Sequence, residues 1–114
     1  MASEAATKQK HEWIVILPDQ EDALSRRMEV RPHHLKALTP AVEKGFWKLG
    51  GAMLDEVPKE GEGPKINGSV MLALAESKEE VLDALKEDVY SKAGVWDWDK
   101  VQIHPFISAF RKAL

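Results

Sequence analysis

Apolar residues fill five consecutive positions in HEWIVILP, residues 11–18, and the run ends at a proline. Short, β-branched and aromatic, it predicts a strand. Trp13, Val15 and Leu17 point one way, Ile14 and Ile16 the other. Both faces are apolar, which predicts a central strand covered on both sides. The charged stretch DQEDALSRRMEV that follows reads as a loop or an irregular first turn. From Arg31 the period changes. Leu35, Leu38 and Val42 recur at i, i+3 and i+7, one face of a helix with Pro32 in its first turn. Pro40 predicts a kink, or a restart capped by Thr39, and Gly45 an end. FWKLGGAMLDE, 46–56, predicts a strand that Gly50 and Gly51 loosen by a bulge or a close backbone approach. A polar Gly/Pro loop leads to the strand INGSVMLALAE, 66–76, with Val70, Leu72 and Leu74 on one face. Ser77 and Glu80 then form a capping-box pattern ahead of a helix striped by Val81, Leu82 and Leu85. VQIHPFISAF, 101–110, predicts a last strand, which Pro105 places at an edge or on a bulge.

The order β-α-β-β-α-β is the split βαβ, ferredoxin-like α+β arrangement, an antiparallel sheet with both helices on one face. No third helix remains for the other face. An apolar sheet face of that size marks an interface, and a homodimer packed sheet to sheet would cover it. The pattern assigns one domain to residues 11–114 and a disordered polar lead-in to residues 1–10.

Composition narrows the function classes. The 16 Lys and Arg are scattered among 19 Asp and Glu for a net charge of −3, so nucleic-acid binding lacks its electrostatic footprint. Cysteine is absent, which removes disulfides, thiolate nucleophiles and cysteine-ligated zinc. The polar start has no signal-like apolar region, and no run reaches the ~20 residues of a membrane helix. These readings predict a cytoplasmic protein without membrane partners. No phosphate-binding glycine loop and no nucleophile elbow is present.

The chemistry centres on EVRPHHLKAL, residues 29–38. His34 flanks the apolar stripe and borders the interior, whereas His33 turns toward water. Neighbours on a helix diverge, and no His-x-x-x-His or carboxylate completes a ligand set, which argues against a metal. Imidazole titrates near neutral pH, so His34 suits proton transfer. It equally suits a plain role at the core edge, bonded to a backbone carbonyl.

Three stretches together resemble the YCII-related (YciI-like) family: DALSRRMEVRPHHLKAL, with an arginine-rich lead before Arg-Pro-x-His-Leu; INGSVMLALAESKEEVLDAL, a Gly-Ser strand running into a Ser-capped helix; and EDVYSKAGVWDWDKVQIHPF. The resemblance covers about residues 12–111. It implies a ferredoxin-like fold that dimerises into an α+β barrel, and a small enzyme whose site pairs a helix-start histidine with an aspartate. By position these are His34 and Asp88. Two departures stand out. The family's Asp-Pro is Asp88-Val89 here, and an Ala-Gly-Pro after the second strand is Gly50-Gly51-Ala52.

Asp88 would hold the His34 tautomer and stabilise the imidazolium; it would otherwise be a solvated turn residue. Arg31 would anchor an anionic oxygen, or else pair with a nearby glutamate. Tyr90 and Trp96, with Trp98, would line a pocket for a ring, or else belong to core or interface. His104 reads as structural. The expectation is a cofactor-free enzyme of isomerase or lyase type, acting on a small cyclic carbonyl or phenolic metabolite. The alternative is a non-catalytic metabolite-binding or dimerisation module.

Overall fold

The computed structural model describes residues 9–112; the expected lead-in over 1–10 lies outside them except for its last two residues. Strand β1 (His11–Pro18) is followed by helix α1 (Leu24–Glu43), strands β2 (Trp47–Leu54) and β3 (Ile66–Ala75), helices α2 (Lys78–Lys86) and α3 (Val89–Lys92), a 3-10 turn (Trp98–Lys100) and strand β4 (Gln102–Phe106). The sheet is antiparallel in the order β2-β3-β1-β4, so the two most apolar strands are central. Strand β4 is an edge strand, and Pro105 therefore withholds no bond from an outer neighbour. This is the ferredoxin-like α+β fold, with the helices on one side of the sheet.

Register decides which side chains meet them. Val15 pairs with Met71 and with Ile103, and Leu17 pairs with Ser69. Val15, Leu17, Met71, Ala73, Ala75 and Ile103 thus share a face and form one core with Val81, Leu85, Tyr90, Val95 and Trp96. Ile14, Ile16, Val70, Leu72 and Leu74 occupy the opposite face. Gly68 is fixed by the β1 backbone: a Cβ there would stand 2.7 Å from the Leu17 carbonyl oxygen. The ladder of β2 is irregular at Trp47/Leu49 and Met53/Leu54, on either side of the glycines rather than at them.

Helix α1 begins at Leu24, seven residues before the expected start at Arg31, and it runs unbroken past Pro32 and Pro40. Its N-cap is Ala23, which has no capping side chain, so no start signal is written there. The two prolines free the carbonyls of Met28 and Lys36, and both residues are exposed, so solvent access lowers the cost of the lost bonds. The helix ends as Gly45 predicts. Its φ of +84° lets Gly45 N–H donate to the Val42 carbonyl and Phe46 N–H to that of Ala41, a Schellman closure.

The buried face of α1 also differs from the expected one. Leu35 and Val42 are largely exposed and Leu38 is half-buried. The inward positions are Ala23, Arg27, Val30, His34, Leu38 and Ala41, spaced i, i+4, i+7, i+11, i+15 and i+18, and two of the six are charged or polar. Helix α2 is capped as expected by Ser77, whose hydroxyl accepts from Glu80 N–H at 3.2 Å. The Glu80 carboxylate reaches back to Glu76 N–H, one residue before the cap.

Candidate active site

Two helix termini bring the site together. Helix α2 stops at Lys86, and Asp88 opens α3 as its N-cap, accepting from Tyr90 N–H at 2.9 Å. Val89 stands at the first helical position, where the family pattern has proline, and the aspartate cap holds the turn. The Asp88 oxygen that caps α3 also lies 2.7 Å from His34 Nδ1, across 54 residues of sequence. A carboxylate only accepts, so Nδ1 carries a hydrogen and donates it. In the neutral ring Nε2 then presents a lone pair, and it has no protein partner among the described residues. Asp88 is 8% exposed and His34 7%, so water competes weakly for this bond.

Tyr90 stacks on the imidazole, with centroids 3.8 Å apart and planes 11° from parallel. The Arg27 guanidinium carbon stands 4.6 Å from the centre of the same tyrosine ring. Burial pushes the Tyr90 phenol above its ordinary range; the positive charges of Arg27 and Arg31 pull it back, and the negative charges of Asp88 and Asp19 add to the rise. The phenol therefore stays a neutral hydrogen-bonding group at physiological pH.

Sequence reasoning missed Arg27 as a site residue. It is 4% exposed, and its Nη1 donates to both Asp19 oxygens, at 2.8 and 3.0 Å. Its Nη2 donates to Ser69 Oγ at 2.8 Å. Burial pushes the Asp19 carboxyl above the usual range, and the Arg27 charge and hydrogen bond pull it part of the way back. The spacing carries only a partial signal: Arg27, Arg31 and His34 fall at i, i+4 and i+7 of one helix, which places them on one side but does not say that Arg27 is buried.

A cavity of about 750 Å³ opens between α1 and the β2 edge of the sheet. It is in the size range of small-molecule sites. Arg27, Arg31 and His34 line one wall, Gly50, Gly51 and Ala52 another, and Ser69, Met71 and Tyr90 the sheet and α3 side. Leu35, Leu38 and Val42 face this space, which explains why an apolar stripe remains exposed. A Cβ on Gly51 would meet nothing within 4 Å, so the diglycine keeps its wall thin. Three cations, Arg27, Arg31 and Lys48, border the cavity, and among the described residues no carboxylate does.

Of the expected site residues, His34 and Asp88 are in direct contact, Tyr90 joins them, and Arg31 is an exposed residue at the cavity wall. Trp96 is not a cavity-lining residue. It is 1% exposed, stands edge-on to Tyr90 and His34, and its Nε1 donates to Ser69 Oγ at 3.2 Å. His33 and His104 are exposed. Among the described residues no cluster of three His, Cys, Asp or Glu could hold a metal ion, and no helix is long and apolar enough to cross a membrane.

Comparison with known proteins agrees with this architecture. The family model for the YCII-related domain matches residues 12–107. Fusaric acid biosynthesis protein 2 of Gibberella fujikuroi is 37% identical over 97 residues, 85% of this chain and 93% of that one. Derivative of benzaldehyde biosynthesis cluster protein C of Emericella nidulans is 39% identical over 87 residues, 75% of this chain and 89% of its own. Among solved structures, the 5-chloro-2-hydroxyhydroquinone dehydrochlorinase of Burkholderia phenoliruptrix, in complex with 2,5-dihydroxybenzoquinone, superposes with a TM-score of 0.72 at 23% identity, covering 84% of this chain and 93% of that one. With a family model spanning nearly all of its sheet and helices, and relatives of that identity along most of their length, this chain belongs to the YCII-related family.

Proposed function

We propose that this protein is a small acid–base enzyme of lyase or isomerase type, acting on a compact cyclic carbonyl or phenolic metabolite. One observation carries the reading: His34 is held through Nδ1 by Asp88 while the imidazole borders a cavity of about 750 Å³. Nε2 takes a proton from a carbon beside the substrate carbonyl, and Asp88 stabilises the imidazolium that forms. The same nitrogen then returns the proton to another carbon, or to a departing group. Arg31, at the cavity wall, attracts an anionic substrate oxygen. The biosynthetic names of the relatives and the hydroxyquinone chemistry of the structural neighbour support a small-molecule role of this kind.

Hydrogen exchange tests this while the substrate is still unidentified. Lactones, keto acids, phenols and hydroxyquinones are screened for stabilisation of the protein in thermal melts, and those that bind are incubated with it in D₂O. Wild type is expected to exchange a carbon-bound hydrogen of at least one ligand, and His34→Ala to bind that ligand without exchanging it. Equal exchange by both proteins, or binding with no exchange by wild type, would leave a binding module instead.

We also propose that two copies pair through the sheet face opposite the helices. Ile14, Ile16, Val70 and Leu74 lie there without a helix over them, and Ile107 and Phe110, just beyond β4, are 89% and 86% exposed. Apolar area of this kind is costly to leave in water.

A further inference from the structure

Proton transfer at His34 uses one point of a much longer space. The α1 wall of the cavity runs from Arg27 to Val42, a rise of about 22 Å at ~1.5 Å per residue, and β2 faces it from Trp47 to Leu54. A dihydroxyquinone has ten heavy atoms; at roughly 30 Å³ each, a water molecule's share of the liquid, they fill less than half of the ~750 Å³. Past His34, toward the C-terminal end of α1, the wall is the apolar stripe of Leu35, Leu38 and Val42. Gly50 pairs with Met71 and so faces α1, and Ala52 follows on the same side, so β2 turns two small residues toward the helix and leaves room in front of the stripe. A cation stands at the far end. A regular ladder after Trp47 and Ala73 would pair Lys48 with Leu72, on the sheet face away from α1. Instead Leu49 takes Leu72, and Lys48 is the extra residue of a bulge. Lys48 thereby borders the cavity, and its Nζ lies 3.1 Å from the point where a Cβ on Gly45 would stand, just past the end of α1. Among the described residues no carboxylate pairs with it.

We propose that the substrate's ring carries an apolar arm ending in a carboxylate, and that Lys48 is the specificity residue that binds this carboxylate. The arm lies along Leu35, Leu38 and Val42, which explains why three large apolar side chains on one helix face are left without a protein layer over them. His34 and Gly45 are 11 residues apart on α1, so the head and the anion stand on the order of 15 Å from each other. A bulge is a common way to re-aim one side chain beside a site, and here it brings a positive charge to the end of an apolar wall that has none of its own. Burial of the arm supplies affinity, and the lysine selects which arm enters. For the placement of the head at His34 this rests on the acid–base reading of the same cavity.

Calorimetric titration with the (4-hydroxyphenyl)alkanoic acids, from the acetic to the decanoic acid, tests this without any turnover. Affinity for wild type should rise by up to about fourfold per methylene and level off near the octanoic acid, where the carboxylate reaches Lys48. Lys48→Met keeps the stem and removes the charge. It should weaken the octanoic acid about fivefold at low salt, less at high salt, and should change the affinity for uncharged octylphenol by less than about twofold. A flat chain-length series, no binding at any length, or equal losses for the acid and the alkylphenol overturns the proposal. Should Lys48→Met fail to fold, Val42→Asp replaces it: a negative charge beside the arm should weaken the octanoic acid by about tenfold, and unchanged affinity refutes the assignment. The two readings fail separately. Hydrogen exchange on short phenols with no gain from the arm keeps the enzyme and removes the arm; preference for the long acid with no exchange keeps the arm and removes the acid–base role.

Discussion

Replacing Asp88 separates its two duties and tests how the site is held. One oxygen, Oδ1, accepts from both His34 Nδ1 and Tyr90 N–H. Asp88→Ala removes both bonds. Loss of an N-cap costs about 1 kcal/mol, and a buried donor left on His34 costs about 1–3 kcal/mol more. The sum is about 2–4 kcal/mol, a large share of the ~5–15 kcal/mol of a small domain. Asp88→Asn keeps an acceptor oxygen in the same place and turns charge-assisted bonds into neutral ones, at a cost of about 1 kcal/mol. Urea unfolding followed by tryptophan fluorescence reads both, since the Trp96 ring lies 6.3 Å from the His34 ring. In a His34→Ala background the cost of Asp88→Ala should fall to the cap alone, about 1 kcal/mol. Equal costs for Ala and Asn, or an Ala cost unchanged when His34 is absent, would refute the account of a shared oxygen.

Two further outcomes are expected. Tyr90 is the chain's single tyrosine, so alkaline absorbance titration reads it alone, and its midpoint in the folded protein should lie above the ordinary 10.0. Because the fold raises this value, the associated stability is complete below the unfolded pKa and is lost as pH rises through the folded one; a folded-state midpoint at or below 10.0 would refute the assigned burial effect. Sedimentation should show wild type as a dimer and Val70→Asp as a folded monomer; a wild type that stays monomeric at every concentration tested removes the sheet-face interface.

The site was partly legible in the sequence. Position on an Arg-Pro-x-His-Leu helix start singled out His34, and the family pattern supplied Asp88. Their contact is a tertiary fact, since it depends on α2 ending where Asp88 can cap α3 beneath α1. The start of α1 was not legible, because its buried face carries Arg27 and His34 where a periodicity reading looks for leucine. For the same reason the Leu35, Leu38 and Val42 stripe was read as core. Leu35 and Val42 line a cavity, and only Leu38 also packs against the core; walls and cores follow the same helical period.

By itself the sequence determined the order of the four strands and the two main helices and the central place of β1, and it limited β4 to an edge or a bulge. Runs of β-branched residues, a capping serine and a strand proline act locally, and each leaves its mark in adjacent positions. Which polar groups would be buried was decided only by the tertiary structure. Arg27 is tolerable in the interior because Asp19 and Ser69, 8 residues before it and 42 after it, meet it there. Pairing of that kind compensates desolvation across sequence distance, so no local pattern records it.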